Sequence, residues 1–286
     1  MEIGLFMVVG GMTAGIFGSL LGLGGGVLIV PLLTLGFGLP LREAVGVSLV
    51  CVIMTSSAAA GVYLERHVAN LRLGMTLELF TATGALVGSS IAFLLDERLL
   101  SGLFAALLLY VAVTMFRSGR RATAASATLA PATEDLGPID VALPPIDVAP
   151  GALPPPSQVA TGPAPIHGLR IGMIGSFGAG IVSALLGIGG GIIKVPLMHL
   201  GMGVPLRVAT ATSNLMIGIT AAASAVIYAL HGGIDPYVAG PTAIGVFVGA
   251  TAGSRLAHRI DLRYLRWLFV VVLGYTAIQM LIKALG

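Results

Sequence analysis

The sequence contains few charged residues, and this scarcity excludes an ordinary water-soluble domain. Of its 286 residues, 9% are charged and 56% are hydrophobic, whereas soluble domains carry about 25% charged residues. Cysteine occurs once, as Cys51 in an apolar run, which excludes an internal disulfide and cysteine-rich metal sites. The five histidines form no ligand pair on a helix face, and no nucleophile motif is visible. We therefore expect an integral membrane protein that is not an enzyme and that needs no metal, cofactor or nucleic acid.

Long apolar runs make up most of the chain. They lie at 3–22, 26–38, 43–64, 73–95, 99–116, 169–187, 191–203, 208–230, 237–257 and 267–282. Runs of about twenty residues are long enough to cross a hydrocarbon core of roughly 30 Å. Between the two sets, ten of the sixteen prolines lie from Pro131 to Pro165, which favours an extended, hydrated linker. The sequence predicts an all-α membrane protein with a first repeat at 1–117, a disordered linker at 118–167 and a second repeat at 168–286.

The two membrane segments are related by an internal duplication. With an offset of 165 residues and no gap, about half of the positions from 14 to 63 are identical to their counterparts. Gly24–Gly26 aligns with Gly189–Gly191, and Val30-Pro31-Leu32 aligns with Val195-Pro196-Leu197. Self-similarity of this kind indicates two copies of one structural unit.

The apolar stretch after the first glycines indicates how the halves are oriented. Residues 27–38 form only about 18 Å of helix, too short to span the membrane. The first unit of each half would then be re-entrant, entering and leaving on the same side. Each half would keep three full crossings, an odd number, so the second half would be inverted relative to the first. This arrangement collects ten basic residues on one side against Arg42, Arg98 and Lys283 on the other. A fully crossing first unit splits the same thirteen residues seven to six. The positive-inside rule favours the first arrangement, which places the linker in the cytoplasm and both termini outside.

The triple glycines are the strongest candidates for a binding site. Each interior glycine costs a helix roughly 1 kcal/mol relative to alanine, and Pro31 or Pro196 follows five residues after the last glycine. The combination predicts a helix break, with Pro31 and Pro196 as structural break residues. A broken helix inside a membrane exposes N–H groups that suit an anion. The alternative is that the small residues simply let helices pack closely.

Several polar side chains lie in the predicted membrane helices. Ser48 and Ser213 share one repeat position, and Asn214 is the most polar uncharged residue of either helix. These residues are candidate anion ligands, although hydrogen bonds between or within helices are the usual role of such side chains. Lys194 is a candidate substrate ligand or a snorkelling lysine. Glu78 and His199 are candidate coupling residues for protons, and Glu78 could instead lie at the interface.

The paired motif identifies a family resemblance. Each half opens with Gly-x-x-x-x-x-x-Gly-x-Gly-Gly-Gly-x-x-x-x-Pro, from Gly15 to Pro31 and from Gly180 to Pro196. The chain outside 118–167 resembles the sulfite exporter TauE/SafE family, also described as a toluene-sulfonate uptake permease-like group. The resemblance implies a bacterial inner-membrane transporter of sulfur-containing anions such as sulfite or organosulfonates. It carries over Gly24–Gly26, Pro31, Gly189–Gly191 and Pro196 as the candidate region, and it gives no support for Lys194 or Glu78.

The function predicted from the sequence is therefore a secondary transporter, in the export direction, of small sulfur anions bound between the two broken-helix units. Two alternatives remain at this stage. One is a membrane scaffold or partner protein without transport activity, and the other is a passive anion channel, which would need a more continuous polar lining. A homodimer is retained as a hypothesis.

Overall fold

The described part of the chain consists of helices joined by short turns and irregular segments. The computed structural model describes residues 2–21, 25–65, 71–129, 169–256 and 262–285, and no strand occurs in these ranges. The helices are α1 (Glu2–Leu21), α2 (Gly26–Pro31), α3 (Leu41–Glu65), α4 (Leu71–Leu94), α5 (Glu97–Leu129), α6 (Leu169–Leu186), α7 (Gly191–Pro196), α8 (Leu206–Leu230), α9 (Pro236–Leu256) and α10 (Leu262–Leu285). Helices α2 and α7 continue directly as π-helical turns, Leu32–Gly36 and Leu197–Gly201.

The helices of the second half follow those of the first at the same 165-residue offset. Helix α2 begins at Gly26 and α7 at Gly191, while α3 begins at Leu41 and α8 at Leu206. Helices α3 and α8 both contain 25 residues. The repeated sequence thus produces the same succession of helices twice.

Five helices in the described ranges, α3, α4, α5, α6 and α8, are long and apolar enough to cross a membrane. Large apolar side chains such as Leu94, Ile174 and Tyr237 are exposed on the helix surfaces, as expected where a protein contacts lipid. Helix α5 continues to Leu129, into the segment that the sequence predicts as linker. Residues 130–167 of that predicted linker lie outside the described residues.

The helix pairings connect the two halves. Helix α1 packs along α9, α4 packs along α6, and α5 packs along α10, while α3 and α8 contact each other. The first helix of each half therefore packs against a helix of the other half. Many side chains of α3, from Ala44 to Leu49 and at Cys51 and Val52, are buried, so this helix lies in the core.

Glycines allow these pairs to approach closely. A Cβ placed on Gly180 of α6 would lie 2.1 Å from the backbone oxygen of Thr81 in α4. In the other pair, a Cβ on Gly15 of α1 would lie 2.4 Å from the backbone oxygen of Val246 in α9. Such contacts are the usual means of tight helix packing in membranes, where small residues replace a hydrophobic driving force.

Candidate functional site

Both triple-glycine segments lie at helix interruptions. Helix α1 ends at Leu21 and α2 begins at Gly26; Gly22, Leu23 and Gly24 lie outside the described residues. Gly25 has a φ of 76°, and in the second half Gly187, Gly189 and Gly190 have φ values of 68°, 79° and 76°. Glycine adopts positive φ without the steric cost that a side chain brings. We call the chain at Gly25 and Gly26 the first interruption and residues 187–190 the second interruption.

Pro31 and Pro196 lie beyond these interruptions. Each is the last α-helical residue of its short helix, and the π-helical turn follows directly. A proline lacks an N–H and cannot donate the α-helical hydrogen bond to the residue four positions earlier, and the widened turn lies next to it in both halves. The interruptions themselves are therefore located at the glycines, and the prolines mark the change from α to π geometry.

The two interruptions contact each other directly, next to Ser48 of α3. A Cβ on Gly26 would lie 2.6 Å from the carbonyl oxygen of Gly187 and 3.1 Å from Cα of Ile188. The Ser48 hydroxyl donates to the Gly187 carbonyl oxygen at 2.7 Å and contacts the Gly26 carbonyl oxygen at 3.3 Å. Ser48 is fully buried. It therefore donates to the Gly187 carbonyl oxygen, which lies beyond the end of α6 and has no partner within that helix.

Several donors at the second interruption have no partner within the part of the chain that the structure describes. The N–H groups of Gly187 and Ile188 donate to the Ser183 carbonyl oxygen, but among the described residues no backbone carbonyl accepts from those of Gly189 and Gly190. The hydroxyls of Ser183 and Ser213 are buried and have no hydrogen-bond partner in the described structure. Buried polar groups without partners are uncommon in native proteins and call for an explanation.

A buried ion pair lies beside the second interruption. Lys194 Nζ of α7 lies 3.1 Å from Glu78 Oε2 of α4 and 2.6 Å from Thr220 Oγ1 of α8. The Thr220 hydroxyl also lies 2.6 Å from Glu78 Oε1. Lys194 is 1% exposed and Glu78 is 4% exposed. The triad therefore joins three helices from both halves, and Lys194 does not snorkel to the surface in this conformation.

The remaining candidate residues take other positions. Asn214 is half-buried, and its backbone oxygen accepts a 2.5 Å hydrogen bond from Ser56 Oγ. His199 is exposed, and its Nδ1 lies 2.9 Å from the Val204 carbonyl oxygen, so it does not join the ion pair. No group of three or more histidine, cysteine or acidic residues within the described ranges could hold a metal ion.

Sequence reasoning missed Ser183 and did not connect Thr220 to Lys194. Ser183 lies seven residues before Gly190 in the sequence, about 10 Å away in a continuous helix. The break at the second interruption places its side chain beside that glycine. The signal available for the triad was that Lys194 and Glu78 are opposite charges within apolar runs. Such charges are expected to pair.

A separate groove of about 450 Å³ lies between α1, α2 and α10. Its lining is mostly apolar and includes Phe17, Leu28, Pro31 and Leu35. It contains neither the ion pair nor the unpartnered hydroxyls, so the polar site and this groove are different features.

Comparisons with known proteins identify the family. The model of the family described as sulfite exporter TauE/SafE matches residues 7–280. The probable membrane transporter protein YunE of Bacillus subtilis is 22% identical over 98% of this chain and 98% of its own length. The probable membrane transporter protein MJ0441 of Methanocaldococcus jannaschii is 24% identical over 96% of this chain and 94% of its own length.

Two further comparisons complete this picture. The probable membrane transporter protein MamO of Magnetospirillum gryphiswaldense is 30% identical over 36% of this chain, which corresponds to 17% of its own length. No solved structure matches the chain. The match to the family model over nearly the whole chain, together with full-length similarity to two probable membrane transporters, shows that this protein belongs to the sulfite exporter TauE/SafE family of membrane transporters.

Proposed function

We propose that the protein is a secondary transporter, in the export direction, of small sulfur-containing anions such as sulfite or organosulfonates. The observation that carries the proposal is the contact between the two interruptions, with Gly26 against the Gly187 carbonyl and Ser48 bridging both. Irregular backbone at membrane depth is tolerated where protein or a wet cavity satisfies its polar groups. Two such segments in direct contact, one from each half, are the arrangement expected of a transporter binding site.

The donors around the second interruption favour an anion as the substrate. The N–H groups of Gly189 and Gly190 lack backbone acceptors among the described residues, and the Ser183 and Ser213 hydroxyls lack partners there. N–H and O–H groups donate hydrogen bonds to negatively charged oxygens. The description of the family supports a sulfur oxyanion and the export direction.

Glu78 is the proposed coupling residue. Its carboxylate is buried against Lys194, so any event that separates the pair leaves a charge in a medium where charge is costly. A proton on Glu78 would remove that cost. His199 is a weaker candidate, because its ring is exposed and contacts the Val204 carbonyl oxygen.

We further propose that the halves are inverted repeats in a bacterial inner membrane, with the linker cytoplasmic and both termini outside. The basic residues support this orientation through the positive-inside rule. Cysteine substitutions at Ala152 in the linker and at Gly286, probed in intact cells with a membrane-impermeant maleimide, test it. Labelling at 286 but not at 152 is expected, and labelling of both or neither would contradict inversion. A homodimer remains a hypothesis that the transport mechanism does not require.

Flux measurements test the transport function. The purified protein is reconstituted into liposomes, and uptake of sulfite, taurine and sulfoacetate is followed with and without a proton gradient. The double variant G25L/G190L should lose flux while still inserting, because both glycines have positive φ at the interruptions. G178L is the control, since a Cβ there meets no atom within 4 Å.

Each alternative has its own result. Full flux in G25L/G190L would mean that the glycines serve only helix packing. Flux that never saturates with substrate concentration would indicate a passive channel. Absence of flux for every anion, with a protein that co-purifies stoichiometrically, would favour the scaffold function.

A further inference from the structure

We infer that the anion binds at the second interruption alone, among Ser183, Gly190, Ser213 and Lys194. The first interruption serves helix packing. This inference rests on the proposed transport function and assigns its site to one half of the duplicated chain. It also adds Ser183 as a substrate ligand. Several residues that are related by the 165-residue offset differ in polarity between the two halves.

Ser183 and Lys194 converge on one point beside Gly190. A Cβ on Gly190 would lie 3.3 Å from Ser183 Oγ and 3.4 Å from Lys194 Cε. Ser183 is 2% exposed, and its hydroxyl has no partner within the described residues. The Ser183 hydroxyl and the aliphatic end of the Lys194 side chain, whose ammonium group is bound to Glu78 and Thr220, therefore lie beside a backbone that carries no side chain. An anion reaches the main chain here when the Ser183 and Lys194 side chains shift, because the glycine adds no side chain of its own.

The equivalent position in the first half is filled by backbone. Gly18 replaces Ser183, and a Cβ on Gly18 would lie only 2.3 Å from Cα of Gly25. The neighbours of a Cβ on Gly25 would be two methyl carbons, Ile29 Cδ1 and Thr55 Cγ2, both at 3.7 Å. Helix α1 thus packs directly onto Gly25, with carbon atoms where the second half presents a hydroxyl and a lysine.

Ser48 and Ser213, which share one repeat position, also differ in their hydrogen bonding. The Ser48 hydroxyl of the first half already donates to the Gly187 carbonyl oxygen and contacts that of Gly26. The Ser213 hydroxyl of the second half is buried and has no partner among the described residues, and it lies 3.7 Å from the position of a Cβ on Gly191. The donor is occupied in one half and available in the other.

The ion pair shows that this region can hold an oxyanion. Glu78 is itself a carboxylate bound by Lys194 Nζ and the Thr220 hydroxyl, while the positions equivalent to Lys194 and Glu78 are Ile29 and Ala243. A sulfite or sulfonate group offers negatively charged oxygens of the same kind. We therefore assign Glu78 as the internal anion that substrate displaces from Lys194, with Ser183 and Ser213 donating to the substrate oxygens.

Serine variants of the full-length transporter test the assignment. KM and maximal rate for sulfite, or for whichever of taurine and sulfoacetate the wild type transports, are measured for S183A, S213A and S48A. S176A is the matched control because Ser176 lies on the same helix, is also buried without a partner among the described residues, and lies two turns, or about 10 Å, before Ser183.

The expected result is a KM raised about tenfold or more in S183A and S213A, as for the loss of a hydrogen bond to a charged group. S176A should keep the wild-type KM. The thermal stability of S183A should not fall, because its hydroxyl has no partner to lose among the described residues. A purely structural role would lower stability without this selective change in KM.

Two results would overturn the assignment while leaving transport intact. One is an S183A variant with the same KM as S176A, and the other is an S48A variant whose KM rises while that of S183A does not. If the wild-type protein transports none of the three anions, the proposed function fails, and the assignment that rests on it fails with it.

Discussion

Replacing the buried ion pair with the residues at the equivalent repeat positions tests whether Lys194 and Glu78 act as a unit. The variants are K194I, E78A and the double K194I/E78A, which copies Ile29 and Ala243. Both of those residues are buried, at 0% and 4% exposure. The chain thus already packs apolar residues at the two equivalent positions, and the double variant should fold.

The magnitudes follow from burial. Removing one partner leaves an uncompensated charge in the protein interior, so each single variant should lose about 3–5 kcal/mol of unfolding free energy. Replacing both partners with apolar residues is commonly neutral, or stabilising by about 1–4 kcal/mol. The double variant should therefore be more stable than either single variant, with a coupling energy of at least about 3 kcal/mol.

Unfolding by SDS in mixed micelles, followed by the helical circular dichroism signal, measures these values. K283A is the control, because the Lys283–Glu97 pair is 3.6 Å apart with side chains 41% and 44% exposed, and such exposed pairs contribute at most about 1 kcal/mol. The reasoning is refuted if K194I costs no more than K283A, or if the losses of the single variants add in the double. The folded double variant should also lack anion flux, because the ammonium group is gone.

Three further predictions concern packing and accessibility. G180A should lose about 1–3 kcal/mol of stability by overpacking, because its Cβ would lie 2.1 Å from a backbone oxygen of α4. G178A, on the same helix, has open space around its Cβ and should gain up to about 1 kcal/mol of stability. Equal thermal stabilities of the two variants would contradict the α4–α6 contact. S48A should lose about 1–3 kcal/mol, because it removes the donor to the buried Gly187 carbonyl. S57A, which changes an exposed serine that bonds within its own helix, should change stability by less than about 0.5 kcal/mol. Cys51 is fully buried and should react with a maleimide only after denaturation in SDS, so rapid labelling of the folded protein would show that α3 is not in the core.

The repeat and the helix interruptions were accessible to sequence reasoning because they depend on local chemistry. The sequence predicts a break within 24–26, and α2 begins at Gly26, because glycine combines poor helix propensity with freedom at positive φ. The π-helical turns after Pro31 and Pro196 were not predicted. They depend on how a missing N–H is accommodated in context.

The composition of the site depends on long-range pairing that no local pattern encodes. Glu78 meets Lys194 because α4 of the first half packs against α6 and α8 of the second. Ser183 becomes a candidate ligand only because the helix break at the second interruption brings Gly190 beside it. The offset alone predicts two copies of one structural unit, and the difference between Gly18 and Ser183 can be interpreted only when their surroundings are known.

The crossed pairing of helices has a consequence for how the protein assembles. Because α1 lies along α9 and α6 lies along α4, neither half contains the neighbour that covers its own first helix. During synthesis, helices α1 to α5 are completed before α9 is made. Helix α1 therefore lacks its packing partner until the second half has been inserted. Two genes encoding the halves separately could replace the single gene only if both products were made together, and covalent tethering guarantees their equal supply.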